Sequence, residues 1–194
     1  MYLFFDTETT GLPRNWGAAV SDLDNWPRLV QLAWLEYDNS ERQISGREYI
    51  IKPRGFTIPD ESAGIHGIST ERAIKEGTSL RTVLTEFSKA VDRSKFLVAH
   101  NISFDEKIVG AEFLRKDIQS GLFQTERICT KELSTEFCQI PNRHGYSGYK
   151  WPTLAELYRK LFDSDFGGTH NAKADVKACA DCFFELKRQG IIEI

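Results

Sequence analysis

Residues 3–12, with the sequence LFFDTETTGL, constrain the fold of this chain most strongly. Apolar residues run into Asp6 and Glu8 before a Thr-Thr-Gly turn, which predicts a buried strand that stops at Gly11. Side chains alternate along a strand, so the two acids point to the same face. Two carboxylates this close both stay ionised only if a cation or a hydrogen-bond network lies between them. A turn cap at Asp6 and a solvated Glu8 explain the segment equally well.

The rest of the chain alternates between strand and helix patterns. Segments 28–38 and 42–53 are rich in β-forming residues and predict a hairpin, and apolar segments at 96–100 and 127–130 predict two further strands. Helical periodicity begins after Ser79 and after Ser103, and it covers 131–137, 152–162 and 172–189. This order predicts an α/β fold with helices on a central sheet. Because neither a repeat nor a linker interrupts it, we expect a single domain over 1–194.

Composition narrows the class of protein. The chain has 194 residues, of which 41% are hydrophobic and 27% charged, a soluble globular balance. It contains neither a membrane-length apolar run nor a basic amino-terminal region with a cleavage site, so we expect no membrane span and a cytoplasmic location. A net charge of −3 excludes nucleic-acid binding through overall charge alone, so a polyanionic substrate would require metal ions or a local basic patch. Cys179 and Cys182 form a C-x2-C without a matching second pair, which favours buried core thiols over zinc.

Further acids and histidines mark two later places in the chain. Asp105 follows the strand at 96–100 on the first turn of a helix, where a helix-start acid is the plainer interpretation. His170 and Asp175 lie at the entry to the last helix, where an exposed loop histidine and a solvated helix face are the alternatives. Ligands of open α/β sheets bind at the carboxyl ends of the strands. The spacing therefore favours one acidic site shared with the first strand.

These motifs resemble those of the DnaQ-like 3′–5′ exonucleases, in the histidine-containing (DEDDh) branch of the DEDD superfamily. The first motif is FDTETTGL with Asp6 and Glu8, the second is LVAHNISFD ending at Asp105, and the third is HNAKAD with His170 and Asp175. The resemblance covers nearly the whole chain. It implies a ribonuclease H-like fold, with a mixed five-stranded sheet whose second strand is antiparallel and with helices on both faces.

The resemblance also implies a two-metal-ion mechanism. Two divalent ions, Mg²⁺ or Mn²⁺, would be bound by Asp6, Glu8, Asp105 and Asp175. Asp6 would bridge the ions, and Asp105 would support the second ion directly or through water. His170 would be the general base that takes a proton from the attacking water. The product would be a nucleoside 5′-monophosphate released from a 3′ end.

Contacts with the terminal nucleotide follow from the same resemblance. The residues implied are Thr9, Leu12, Ile65, His66, Asn101 and Phe104, of which two belong to the shared IHGIS segment at 65–69. For Leu12, Ile65 and Phe104, packing in the core is an equal alternative. The loop at 139–152 interleaves basic and aromatic residues, which suits a single strand, with a solvated loop as the alternative. The role of the loop at 13–27 stays open.

The expected function is a metal-dependent 3′–5′ exonuclease acting on a single-stranded or frayed 3′ end, with DNA proofreading or repair as the first hypothesis. An RNA-trimming or oligoribonucleotide-degrading exonuclease would use the same residues. A non-catalytic subunit whose partner is a DNA polymerase is an alternative of another class, and the presence of all five catalytic residues argues against it. The chain ends shortly after the last predicted helix, which favours a stand-alone exonuclease domain or a part of a longer protein.

Overall fold

The computed structural model describes residues 1–142, 147–167 and 171–194. The strands in these residues are β1 (Tyr2–Thr9), β2 (Leu29–Tyr37), β3 (Gln43–Ile50), β4 (Phe96–Ala99) and β5 (Glu126–Cys129). The helices are α1 (Asp60–His66), α2 (Thr70–Glu76), α3 (Leu80–Arg93), α4 (Ile102–Lys116), α5 (Thr130–Leu133), α6 (Thr135–Cys138), α7 (Leu154–Phe162) and α8 (Ala172–Arg188). In this part of the chain, no helix combines the length and the hydrophobicity needed to cross a membrane.

The strands form one mixed sheet in the order β3-β2-β1-β4-β5. β2 runs antiparallel to β1 and β3, whereas β4 runs parallel to both β1 and β5. The predicted ribonuclease H-like sheet, with an antiparallel second strand, is therefore confirmed. The ladder of β1 with β2 continues to Thr9, but its ladder with β4 ends where Phe4 pairs with Val98. Beyond Phe4, one edge of the central strand is therefore free to meet side chains from a neighbouring helix.

Each face of the sheet buries its own hydrophobic core, as predicted for helices on both faces. Phe5 packs with α3 and α4 on one face, and Phe4 packs with α7 and α8 on the other. Because side chains alternate along β1, Asp6 and Glu8 continue the Phe4 side toward α8. Thr7 continues the Phe5 side toward α4. Two different helices can therefore contribute groups to the end of one strand.

Three local predictions differ from the structure. The helix expected over 131–137 is divided into α5 and α6 at Ser134, which adopts φ −92° and ψ 0°. The helix expected from Ser103 begins one residue earlier, directly after Asn101 in the left-handed conformation, which asparagine tolerates well. The strand expected at 127–130 is displaced by one residue. The four cysteines are free and buried, as expected for core thiols.

Candidate active site

Three carboxylates converge at the carboxyl end of β1. Oxygen atoms of Asp6, Glu8 and Asp175 lie within 4.8 Å of one another. The two-residue period of β1 brings Asp6 and Glu8 to one face, and the first turn of α8 brings Asp175 over that face. Asn171 determines where α8 begins, since its side chain accepts hydrogen bonds from the backbone N–H groups of Lys173 and Ala174. Two rigid elements therefore hold the three acids together.

Gln31, which was not among the residues predicted from the sequence, connects α8 to the sheet through hydrogen bonds. Its side-chain oxygen accepts a hydrogen bond of 3.2 Å from Ala172 N, and its side-chain nitrogen donates one of 3.0 Å to Glu48. Gln31 pairs with Glu8 in the register of β1 and β2. The start of α8 is thereby held beside Glu8. The sequence signal for this role is a polar residue near the start of a largely apolar strand.

Burial and mutual repulsion raise the pKa values of two of the clustered acids, Asp6 and Glu8. The pKa of Asp6 lies well above its usual range, first because of burial and then because of the charges of Asp105, Asp175 and Glu8. Burial, followed by the charges of Asp175 and Asp105, raises the pKa of Glu8 to about 7. A bound cation reduces the repulsion between carboxylates in such a cluster. Since all its donors are carboxylate oxygens, the cluster suits a hard divalent ion such as Mg²⁺ or Mn²⁺.

Asp105 is placed differently from the other three acids. Asp105 is buried and is not one of the three clustered acids. It approaches β1 from the α4 side, where its Oδ1 accepts hydrogen bonds from Thr7 N at 3.1 Å and from Thr7 Oγ1 at 2.7 Å. Burial raises the pKa of Asp105 to about 7, although the hydrogen bonds from Thr7 act in the opposite direction. The first and second acidic motifs are thus joined through Thr7.

His100 occupies one wall of a cavity of about 430 Å³ that also contains Asp6 and Asp175. Its Nε2 lies 3.0 Å from the carbonyl oxygen of Pro152, which can only accept, so Nε2 carries the proton. Its Nδ1 lies 3.0 Å from Thr130 Oγ1 and therefore accepts from that hydroxyl. Burial lowers the pKa of His100 to about 4. Both ring nitrogens of this neutral imidazole are therefore engaged, Nε2 with the segment before α7 and Nδ1 with the start of α5.

His170, the expected general base, lies outside the described residues, as do Arg143, His144 and Tyr146 of the loop at 139–152. Trp151 of that loop is described and is 61% exposed. Lys131 Nζ lies 3.9 Å from the centroid of the Trp151 ring and also donates to Asn101 Oδ1. Asn101, an expected substrate contact, is thus linked through a cation to an exposed aromatic ring.

Leu12 and Ile65, two further expected substrate contacts, are 72% and 57% exposed. The core-packing alternative is therefore wrong for both residues, and their side chains are available to a ligand. Phe104 is half-buried: it packs against the core on the α4 side and meets Trp16, with ring centroids 5.6 Å apart. Packing thus accounts for part of the Phe104 surface. Trp16 extends that surface outward from the loop at 13–27, and its exposed fraction is 51%.

Thr9 and His66, the remaining expected contacts, lie next to each other. The Thr9 hydroxyl donates to the carbonyl oxygen of Gly11 at 2.6 Å and closes the turn after β1. His66 is buried, and its Nδ1 accepts a hydrogen bond of 3.2 Å from Ile68 N. Burial lowers the pKa of His66, while the backbone of Thr9 acts in the opposite direction, which places the ring beside Thr9. The IHGIS segment therefore meets the end of the central strand.

The RNase T exonuclease family model matches residues 3–183, from the start of β1 into α8. The chain belongs to this exonuclease family. The match includes all three acidic motifs, so the resemblance to DnaQ-like exonucleases is confirmed at the level of the family. The exonuclease family match agrees with the expected enzyme class, a phosphodiester hydrolase of the 3′–5′ exonuclease type. No curated protein matches the sequence significantly.

Solved structures of exonuclease I share the fold. For the Escherichia coli enzyme in complex with a dT13 oligonucleotide, the TM-score is 0.73 at 19% identity over 96% of this chain and 40% of that one. For the zinc-bound form of its complex with single-stranded DNA, the TM-score is 0.73 and the sequence identity is 19%, over 97% of this chain and 40% of that one. For a product-bound exonuclease I structure, the TM-score is 0.74 and the sequence identity is 17%, over 98% of this chain and 44% of that one. The chain spans less than half the length of these proteins, and at this identity the likeness concerns the fold.

Proposed function

We propose that the protein is a metal-dependent 3′–5′ exonuclease that releases nucleoside 5′-monophosphates from the 3′ end of nucleic acid. The observation that carries this proposal is the convergence of Asp6, Glu8 and Asp175 at the end of the central strand, in a chain of the exonuclease family. We further propose that residues 1–194 form a single exonuclease domain. The single sheet and the family match over 3–183 support that assignment.

The carboxylate cluster has the donor set for the divalent ions that the chemistry needs. Asp6, Glu8 and Asp175 would bind one Mg²⁺ or Mn²⁺, and Asp6 would share a second ion that Asp105 supports directly or through water. When bound, such ions lower the pKa of water, orient the phosphate and stabilise the leaving oxygen. The raised pKa values of Asp6 and Glu8 support this assignment, because they reflect burial together with negative charges that repel each other, and both effects favour a bound cation.

His170 is proposed as the general base that takes a proton from the attacking water. This role rests on the family resemblance and on its position five residues before Asp175 in the sequence. His100 is poorly suited to act as the general base, because both of its ring nitrogens form hydrogen bonds and burial lowers its pKa to about 4. An imidazole with an ordinary pKa is the better proton acceptor at neutral pH.

Thr9 and His66 are proposed to hold the terminal nucleotide, because they lie side by side just beyond the acids. The exposed side chains of Leu12 and Ile65 would contact its base, with Leu12 as a wedge between the last two bases. Asn101 and Phe104 would complete the binding surface on the α4 side. Apolar side chains at these positions suit a sequence-tolerant enzyme, since every base offers a flat face for packing.

DNA is the proposed substrate, in a proofreading or repair role. Two of the exonuclease I structures that share this fold contain DNA, a dT13 oligonucleotide in one and single-stranded DNA in the other, which supports the choice. RNA trimming or oligoribonucleotide degradation is the second candidate, because the same acids and histidine would serve both. A DNA polymerase as partner rests on the family resemblance alone.

The test uses single strands of DNA and RNA with the same base sequence and a 5′ label, incubated with Mg²⁺ or Mn²⁺. Wild-type protein is expected to shorten the preferred strand stepwise from its 3′ end, and Asp175→Asn to lose this activity. His170→Ala should lower kcat by about 10²–10⁴-fold, as for loss of a general base. Asp181→Asn is the matched control, because Asp181 lies on the same helix and pairs with Lys177. The proposal fails if neither strand is shortened, or if Asp175→Asn equals the wild type.

A further inference from the structure

A groove of about 300 Å³ at the edge of the sheet is lined by five cationic side chains. These are Arg28, Lys52, Arg54, Arg81 and Lys116. Its floor contains Ile51 and Leu80, both buried. Within the part of the chain that the structure describes, no acidic residue lines it. Since the whole chain carries a net charge of −3, this is a local concentration of positive charge against the overall balance.

One of these cations is neutralised by a buried acid. Arg28 Nε lies 2.7 Å from Glu112 Oε1, and its guanidinium lies 4.3 Å from the centroid of the Phe56 ring. Among the described residues, the other four cations form no salt bridge. Arg81 Nη2 instead donates to the carbonyl oxygen of Lys116 at 2.7 Å, which ties the start of α3 to the end of α4. The groove therefore has a fixed wall and an unbalanced positive charge.

The groove is directly connected to the candidate active site. Arg28 N donates to Thr10 Oγ1 at 2.9 Å, and the Arg28 carbonyl accepts from Thr10 N at 3.0 Å. Thr10 follows Thr9, which is proposed to bind the terminal nucleotide. Ile51, on the floor of the groove, directly follows the end of β3, which runs in the same direction as β1. The groove and the carboxylates therefore lie at the same end of the sheet, the groove on the α3 and α4 face and the carboxylates on the α8 face.

We propose that this groove binds backbone phosphates of the nucleic-acid strand, upstream of the nucleotide that is removed. The proposal rests on the proposed function, which places the 3′ end at Thr9. Lysine and arginine are the usual partners of backbone phosphates, and they bind without reading base sequence. In a chain of net negative charge, such a patch supplies the attraction that overall charge cannot. The groove would therefore govern affinity for long strands and leave cleavage of a single nucleotide ester unchanged.

Two exposed cations of the groove, Lys52 and Arg54, are suited to a test by charge reversal. The double variant Lys52→Glu/Arg54→Glu is compared with Lys95→Glu/Lys160→Glu, which changes the net charge equally at exposed lysines outside the groove. The long substrate is a 5′-labelled single strand of about 20 nucleotides, which extends beyond one binding site. The short substrate is the p-nitrophenyl ester of thymidine 5′-monophosphate, which reaches the catalytic site alone.

The groove variant is expected to lose about tenfold in kcat/KM on the long strand. The slope of log K against log[salt] should fall by about 0.7 for each phosphate that the variant no longer neutralises. Its activity on the short ester should equal that of the wild type, and the control variant should match the wild type on both substrates. Fluorescence anisotropy in EDTA measures binding of the same long strand without cleavage. It therefore tests the groove even if hydrolysis is not detected.

The outcomes separate the two proposals. If wild-type protein cleaves neither substrate, the proposed function fails. The binding comparison still shows whether the groove binds the long strand. Unchanged affinity and salt dependence in the groove variant overturn the groove proposal and leave the function standing. Equal reductions on the long and short substrates, or equal reductions in the control variant, also overturn it. Tighter binding of polyglutamate than of the long strand at the same salt concentration would assign the groove to an acidic protein instead.

Discussion

Thr7 donates two hydrogen bonds to the same carboxylate oxygen of Asp105, one from its backbone N–H at 3.1 Å and one from its hydroxyl at 2.7 Å. The ladder between β1 and β4 ends at Phe4, so the Thr7 N–H meets the first turn of α4 instead of a strand. This contact aligns α4 with the part of β1 that carries Asp6 and Glu8. It therefore connects the second acidic motif to the first.

We predict that Thr7→Val lowers kcat/KM at least about tenfold, as for loss of a group that orients a functional side chain. The free energy of unfolding should fall by about 1 kcal/mol, because a buried carboxylate loses one hydrogen bond. Thr7→Ser keeps the hydroxyl and should remain close to the wild type. Steady-state kinetics and urea unfolding of the two variants test this. Equal activity of the valine and serine variants would show that the Thr7 hydroxyl does not position Asp105.

The clustered carboxylates Asp6 and Glu8 destabilise the metal-free protein, because burial and repulsion disfavour their ionised forms. Glu8→Gln should therefore raise the free energy of unfolding in EDTA by about 1 kcal/mol, the scale of one pKa unit. Adding Mg²⁺ or Mn²⁺ should raise the Tm of the wild type, and this rise should largely disappear in the variant. Thermal unfolding with and without metal measures both effects.

Asp181→Asn serves as the charge-matched control for that experiment, since this acid lies on α8 outside the cluster. It should keep the full rise in Tm on addition of metal. A variant at Glu8 that is less stable than the wild type in EDTA would contradict the repulsion argument. An unchanged rise in Tm at Glu8→Gln would contradict its role in binding the ion.

The acidic motifs were predictable because short-range geometry determines their placement. The two-residue period of a strand brings Asp6 and Glu8 together, and the helical pattern after residue 171 places Asp175 on a first turn. The family resemblance then indicated which strand and helix ends should meet. The mixed five-stranded sheet and its antiparallel second strand followed from the same resemblance and are confirmed.

The residues that organise the site were not predictable, because their partners are distant in the sequence. Gln31 reaches Ala172 only when α8 packs on the sheet, and Asp105 reaches Thr7 only where the β4 ladder stops. The basic groove likewise combines side chains from the start of β2, the segment after β3 and the ends of two helices. Pattern arguments describe one element at a time and do not determine such contacts.

Glu112 is buried on α4 and joins three groups at the start of β2. Its Oε1 lies 2.7 Å from Arg28 Nε, 3.0 Å from Arg115 Nη1 and 3.1 Å from Leu29 N. We predict that Glu112→Gln lowers the free energy of unfolding by about 3 kcal/mol, because two arginines lose their shared counter-charge. Glu76→Gln, which breaks an exposed pair with Arg72, should cost less than about 1 kcal/mol. Urea unfolding that ranks the two variants equally would refute the prediction.

His100 should make the stability of the protein depend on pH. Burial lowers its pKa to about 4, the charge of Lys131 acts in the same direction, and the carbonyl of Pro152 opposes them. In the unfolded chain the pKa of histidine is about 6.5, so the unfolded state binds the proton more readily. The stabilisation is therefore complete above about pH 6.5 and is lost as the pH falls toward about 4.

Between pH 7 and pH 5, the wild type should lose about 2 kcal/mol more of its unfolding free energy than His100→Gln, which has no titrating ring. Urea unfolding of both proteins in EDTA at several pH values between these limits gives the comparison, and EDTA removes any contribution from bound metal. Parallel pH profiles for the two proteins would contradict the prediction. They would show that His100 has nearly the same pKa in the folded and unfolded chains, and hence that its hydrogen bonds to Pro152 and Thr130 do not require a neutral ring.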